Sequence, residues 1–191
     1  LWPKLRQTVI AANSLQIATR PLPPALRQTV LPGGQSVSDT RRVLRYFRVD
    51  AADRLIMGGR GPFREPRAPE DFAHLERSVA QMFPQLKDEP FEFRWGGRVA
   101  LTRDFLPHLH EPAPGILACI GYNGRGVGMA TTMGRLLAGH MADPQGTPLP
   151  LPFTTITPIP LHGLHTIYVS MLIAWYTTNL VIFHADLFAV R

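Results

Sequence analysis

The sequence predicts an α+β fold, a mixed or antiparallel sheet with flanking helices. Three observations predict it. Short runs rich in β-branched and aromatic residues recur between proline and glycine breaks, at 14–19, 42–49 and 54–59. The segment after Pro69 carries apolar residues at spacings of three and four, the period of a helix. A wholly apolar run, 115–120, enters a glycine-rich loop and then a second helical segment.

Composition bounds what the chain can be. Its 191 residues suffice for a hydrophobic core without metal or disulfide staples. Hydrophobic residues make up 45% and charged residues 18%, which excludes bulk disorder. Cys119 is the single cysteine, so an intramolecular disulfide and a cysteine-based zinc site are excluded, and a reducing, cytoplasmic setting is expected. Nineteen prolines predict many loops and short strands. The net charge is +6, which invites a nucleic-acid reading. Yet the arginines are scattered, as at Arg20, Arg27, Arg48, Arg60, Arg77 and Arg94, with only Arg41 and Arg42 adjacent. Phosphate binding needs a clustered face, so no nucleic-acid partner is expected. The chain starts at Leu1 without a signal-peptide pattern, and it is expected to be a portion of something longer or the product of a truncated frame.

Each element has a local reason. Residues 14–19 alternate and are stopped by Pro21, a first strand. Residues 42–49 and 54–59 pair as a hairpin about a turn at 50–53. Gly58 and Gly59 either admit another backbone closely or end the strand. Pro69 suits the first turn of a helix, and Glu70 and Asp71 suit its dipole. Phe72, Leu75, Val79 and Met82 form its apolar stripe, and Pro84 stops it. Phe91, Phe93 and Trp95 alternate with Glu92 and Arg94, a half-buried strand that Gly96 and Gly97 interrupt and that resumes at 99–102. His108 and His110 fall in a loop after Pro107. Residues 115–120 read as a strand covered on both faces. A helix is expected over 127–141, with Met129, Met133, Leu136, Leu137 and His140 at workable spacings. A proline-rich run follows, then an uncharged apolar segment at 164–183.

The chemistry concentrates at 121–128. Glycines let a ligand approach the backbone, and unpaired N–H groups at a helix start favour negative charge or a polarised oxygen. Gly121, Tyr122, Asn123, Gly124, Arg125, Gly126 and Val127 are therefore the candidate ligand loop, with the N–H groups of about 124–127 expected to be unpaired. A tight structural turn before a packed helix is the alternative. The spacing is GxGxG rather than the dinucleotide fingerprint GxGxxG, and no acidic residue follows at the distance of a ribose contact. No nucleophilic triad or carboxylate pair stands out, so no catalytic residue is named. His108 and His110 would share one face of a strand, but no further ligand is in register and no metal site is expected. Cys119, inside an apolar run, is expected to be an inert core thiol.

Several short motifs occur in a fixed order. They are Tyr46-Phe47-Arg48, then 55–60, then Phe83-Pro84-Gln85-Leu86, then Trp95-Gly96-Gly97, then Asp104 with Pro107, then 121–128, with Leu1-Trp2-Pro3 and 18–22 at the opening. Over about residues 1–142 this order resembles the C-terminal half of the glycine/D-amino-acid oxidase superfamily, and in particular its gamma-glutamylputrescine oxidase-like members. Members of that superfamily oxidise amines and amino acids with FAD. The resemblance implies FAD as cofactor and a small-molecule amine or amino acid as substrate, oxidised at its CH–NH bond by hydride transfer to the flavin. It implies that the loop from Tyr122 to Val127 meets the pyrimidine edge of the flavin, where Arg125 either adds positive charge or faces solvent. It implies substrate-pocket roles for Trp95 and Gly96, and names Tyr46, Arg48 and Arg98 as groups that could meet a substrate carboxylate. Trp95 as the core end of a strand is the alternative. His108 and Leu109 depart from the small or apolar pair the family carries there. The N-terminal βαβ unit that holds the rest of the cofactor in this family is expected to be missing.

These readings divide the chain into a substrate-domain portion at 1–114, a strand-loop-helix of the FAD-binding domain at 115–142, and a proline-rich linker with an apolar C-terminal helix at 143–191. The ending at 158–164 also resembles some members; from Thr177 onward nothing does. Polar residues from His165 to Asn179 and the absence of basic flanks favour a docked apolar helix over a membrane span. Two rival readings are a catalytically inactive, flavin-free remnant and a membrane-associated basic protein.

Overall fold

The computed structural model describes residues 2, 4–41 and 43–175. The chain forms two compact units, one of residues 13–98 with the segment from Thr166, the other of residues 1–12 with 99–165. These divisions fall at 12/13, 98/99 and 165/166, whereas the sequence reading placed its boundaries at 114 and 142.

Strands β1 (Ile10–Thr19), β2 (Val37–Ser38), β3 (Arg45–Val49), β4 (Leu55–Arg60) and β5 (Phe91–Leu101) form one sheet in the order β2-β3-β4-β1-β5. Ser14 stands opposite Arg60 and Ala18 opposite Ile56 in the antiparallel β1/β4 pair. The expected hairpin is β3/β4, with Arg45 opposite Gly59 and Val49 opposite Leu55. Its turn is held by the Asp50 carboxylate, which accepts from the backbone N–H groups of Ala52 and Arg54, both at 2.9 Å. β3 starts at Arg45 rather than at 42 because the Asp39 carboxylate accepts from the N–H groups of Arg41 and Arg45, closing the preceding chain into a turn.

After the short α1 (Pro24–Arg27), the helix expected after Pro69 opens as a 3-10 turn (Pro69–Phe72) and continues as α2 (Ala73–Met82). Its start is fixed by Asp71, whose carboxylate accepts from the Arg67 N–H at 2.8 Å and pairs with Arg64. The Arg64 guanidinium and the N–H groups of Arg67 and Ala68 hold the Asp71 carboxyl well below the usual carboxylate range. Phe72, Leu75 and Val79 are buried in the core with Leu15, Ile17, Leu55, Met57 and Leu86, as the stripe requires, and Met82 packs at its edge. A short helix at Pro24–Arg27 and the two-residue β2 carry no periodicity that sequence reasoning could use.

Several expectations are corrected. β5 runs unbroken through Gly96 and Gly97 to Leu101, and it is mostly exposed rather than half-buried, with Phe93 and Trp95 40% or more accessible. It lies at the edge of the sheet. In the second unit His108, Leu109 and His110 are not in a loop: they open β6 (His108–Ala113), which pairs antiparallel with β7 (Ile116–Ile120). In β7 Ile116 is exposed and the rest half-buried. The helix α3 spans Gly126–Ala142. The proline-rich run is no free linker. Thr154 donates its N–H to the Leu109 carbonyl at 2.7 Å, Phe153 bridges Leu109 in parallel, and Ile159 donates to the Gln7 carbonyl at 2.8 Å.

From the expected apolar C-terminal segment, residues 165–175 are helical. Ile167, Met171 and Trp175 are more than half exposed. Residues 176–191 lie outside the described residues. Among the described residues no helix is long and apolar enough to cross a membrane.

Candidate functional site

The loop 121–128 joins β7 to α3, and its shape is set by Asn123. Gly121 and Gly124 hold φ of +77° and +90°, and Asn123 itself sits at φ 52°, in the left-handed region. The Asn123 side chain accepts from the Thr102 N–H at 2.9 Å, donates to the Thr102 hydroxyl at 3.0 Å, and donates to the Gly121 carbonyl. Its backbone N–H donates to the Ala100 carbonyl at 3.3 Å. A Cβ on Gly121 would collide with Thr102, so the loop rests directly on that residue.

Helix α3 has no side-chain cap at its N-terminus. Its first backbone bond runs from Met129 to Arg125, 3.1 Å. The N–H groups of Gly124, Gly126, Val127 and Gly128 meet no acceptor among the described residues, while that of Arg125 donates to the Tyr122 carbonyl at 2.9 Å. The expectation of free donors over 124–127 thus fails at Arg125 alone. Gly124, Val127 and Gly128 are exposed, Val127 to 96%, and Gly126 is half-buried. Arg125 is exposed. Unpaired donors at the head of a 17-residue helix stabilise an anion or a polarised oxygen. The polarised pyrimidine edge of a flavin is a group of that kind, and the residues present fit it.

The substrate-pocket candidates fall on two faces of the sheet. Arg45 donates to the Ser78 hydroxyl of the core helix, so Tyr46 and Arg48 turn to the opposite face. There Tyr46 lies over Gly58, where any Cβ would strike its ring, and its hydroxyl hydrogen-bonds the Ser14 hydroxyl. Gln16, opposite Gly58, and Arg60, opposite Ser14, share this face. Burial lowers the pKa of Arg60, whose guanidinium stacks 4.4 Å from the Phe63 ring centre. Gly96 faces the other way, its Cβ position 2.8 Å from Leu15, and Arg98 on that side pairs with Glu65. Alternation then turns Trp95 to the Tyr46 face. Tyr46, Arg48 and Trp95 are thus brought to one side of the sheet, and Gly96 and Arg98 to the other. Ser14 and Gln16 were not singled out from sequence; small polar residues without a motif carry no signal of their own there.

Cys119 is half-buried rather than in a core, and burial pushes its thiol pKa up, which disfavours the reactive thiolate. The same environment, together with a hydrogen bond to Cys119, pushes the Tyr122 hydroxyl up to about 12. A raised folded pKa means that the stabilising protonated form is fully present below the ordinary tyrosine value and is lost as pH rises toward 12. In a titration of tyrosinate absorbance, Tyr122→Phe is expected to remove a component that ionises above the ordinary tyrosine value; loss of a component at the ordinary value would refute this. Among the described residues no group of three or more metal-ligating side chains occurs.

Residues 1–140 match the FAD dependent oxidoreductase family, DAO. The chain is 38% identical over 109 residues to the probable oxidoreductase OrdL of Rhizobium meliloti (strain 1021), covering 57% of this chain and 26% of that protein. It is 29% identical over 171 residues to the gamma-glutamylputrescine oxidoreductase of Escherichia coli (strain K12), covering 81% of this chain and 40% of that one. Among solved structures it resembles iminodiacetate oxidase (IdaA) from Chelativorans sp. BNC1, with a TM-score of 0.62 at 19% identity, over 81% of this chain and 41% of that one. Glycine oxidase from Geobacillus kaustophilus gives 0.58 at 17% identity, over 81% and 40%. The structural likenesses share the fold. The chain spans between 26% and 40% of the length of these curated relatives. A family match over residues 1–140 of 191 carries the conclusion that the chain belongs to the FAD-dependent oxidoreductase family.

Proposed function

We propose that this chain is the part of an FAD-dependent oxidoreductase that presents the substrate sheet and one edge of the flavin site, and that the enzyme oxidises the CH–NH bond of a small amine or amino acid. The observation that carries it is the uncapped start of α3, with free N–H groups at Gly124, Gly126 and Val127 in a loop braced by Asn123. A bound flavin would supply the acceptor for a hydride from the substrate carbon. These N–H groups would hold its polarised edge and favour negative charge there, and Arg125 would add positive charge. Tyr46, Arg48 and Trp95 orient the substrate, with Arg48 as the group for a carboxylate. Arg98 is matched by Glu65, and Gly96 lines that same opposite face. The gamma-glutamylputrescine oxidoreductase and glycine oxidase relatives support the amine or amino-acid class by their names.

The sequence holds no GxGxxG. In this reading the pyrophosphate half of the cofactor is therefore held by a separate βαβ unit. Titrating FAD into the purified chain while following flavin fluorescence is expected to give no saturable quenching at submicromolar FAD. Adding the separately expressed N-terminal portion of the Rhizobium meliloti OrdL relative is expected to yield a complex that retains flavin and is bleached by an amine substrate. Failure to retain flavin in that mixture would overturn the flavin-edge assignment. Submicromolar binding by the chain alone would overturn the divided cofactor site.

A further inference from the structure

The face of the sheet that carries Tyr46 holds a second arginine that the proposed reaction leaves unused. Gly59 meets Leu75 and Gly61 meets Leu15 on the core side, so Arg60 between them turns to the Tyr46 face. Its guanidinium stacks on the Phe63 ring and the residue is half-buried, yet it forms no ion pair or hydrogen bond with any described residue. Its N–H donors are therefore unmatched. They are not sealed: the enclosed, unpartnered nitrogens among the described residues belong to Arg45 and His110. A ligand that reaches this face can touch Arg60.

Gln16 stands beside it. Leu15 and Ile17 are fully buried in the core, so Gln16 between them also turns to the Tyr46 face, opposite Gly58. Its amide is half-buried and has no hydrogen-bond partner among the described residues. Ser14, directly opposite Arg60, holds the Tyr46 hydroxyl, which anchors that ring over Gly58 next to both unmatched groups. No acidic residue occupies this face of β1, β3 or β4, and Arg48 on the same face has no ion pair either. Arg48 stands opposite Ile56, and Arg60 follows four residues later, about 13 Å along the strand. The two cations thus stand at opposite ends of the face. A half-buried guanidinium without a counter-ion has lost hydration that nothing replaces, which lowers its pKa, and an arriving anion offsets that loss.

We propose that Arg60 and Gln16 form a second acid-binding subsite, which selects small amines that carry two carboxylates, one held by Arg48 and the other by Arg60 with the Gln16 amide donating to it. The inference rests on the reading of the Tyr46 face as the substrate face.

Binding to the chain itself tests this without flavin, by titration followed through the arginine Nε–H and glutamine side-chain amide resonances. The probes are L-glutamate, with two carboxylates, and L-glutamine, its neutral isostere at the second. Glutamate is expected to bind about tenfold or more tightly than glutamine, with saturable shifts at Arg60 and Gln16. Arg60→Gln is expected to bring the two probes to equal affinity while leaving that of glutamine unchanged. Gln16→Leu, which keeps the arginine, is expected to remove part of the preference, and circular dichroism checks that both variants are folded. Equal binding of the two probes to the unaltered chain overturns the proposal, as does a preference that survives Arg60→Gln. Glutamate binding that leaves the Arg60 resonance unmoved overturns it without any substitution. The substrate-face reading fails separately if glutamine binding is unchanged by Arg48→Gln. Absence of saturable binding by either probe overturns both.

Discussion

Replacing Leu75 with alanine is expected to cost about 2–5 kcal/mol of folding stability. Leu75 is fully buried and sits in the core beside Leu15, Ile17, Leu55 and Met57. Its side chain also fills the space over Gly59, where a Cβ would come within 2.9 Å of its Cδ2. Truncation removes that filling from between a helix and a pleated sheet, neither of which can collapse freely, so the cost includes a residual cavity. Urea denaturation checks it: the midpoint should fall while the slope is unchanged. A cost under about 1 kcal/mol would mean that the helix packs elsewhere.

Gly58→Val is expected to destabilise by about 3 kcal/mol, the upper part of the range for overpacking. The Tyr46 ring occupies the space over Gly58 in the middle of the sheet, and any Cβ there meets it. The ring must swing away and lose its hydrogen bond to Ser14. A double-mutant cycle isolates this cause. Tyr46→Ala in the Gly58→Val background should recover part of the stability, because the collision partner is gone. Additive effects of the two substitutions would show that the glycine matters for another reason. The proposed substrate role adds a separate readout, since displacement of Tyr46 should weaken substrate affinity in a reconstituted enzyme.

Elements whose cause is local were legible in the sequence. The β3/β4 hairpin follows from the turn chemistry of Asp50 between two β-rich runs, and the helix at Ala73–Met82 follows from a stripe of Phe72, Leu75 and Val79. The loop at 121–128 was legible because its glycines sit between an apolar run and a helical one. Elements whose cause is distant were not. His108 to Ala113 looks like loop between Pro107 and Pro112, and becomes a strand because Ile116–Ile120 supplies its pairing. The proline-rich run reads as linker, yet Thr154 extends the pairing of Leu109. Burial of β5 was overestimated because apolar composition reveals what a face prefers, and not which layer covers it. The split of Tyr46, Arg48 and Trp95 from Gly96 and Arg98 depended on register, where a shift of one residue exchanges the faces.

The bracing of the 121–128 loop by Asn123 bears on the entropy of any encounter there. With Thr102 and Ala100 fixing its side chain and backbone, the loop loses its freedom when the chain folds rather than when a ligand arrives. An oxygen that reaches Gly126 and Val127 finds the donors already aimed, so little ordering cost is subtracted from the contact. The loop is preorganised, and its contribution to affinity is set during folding.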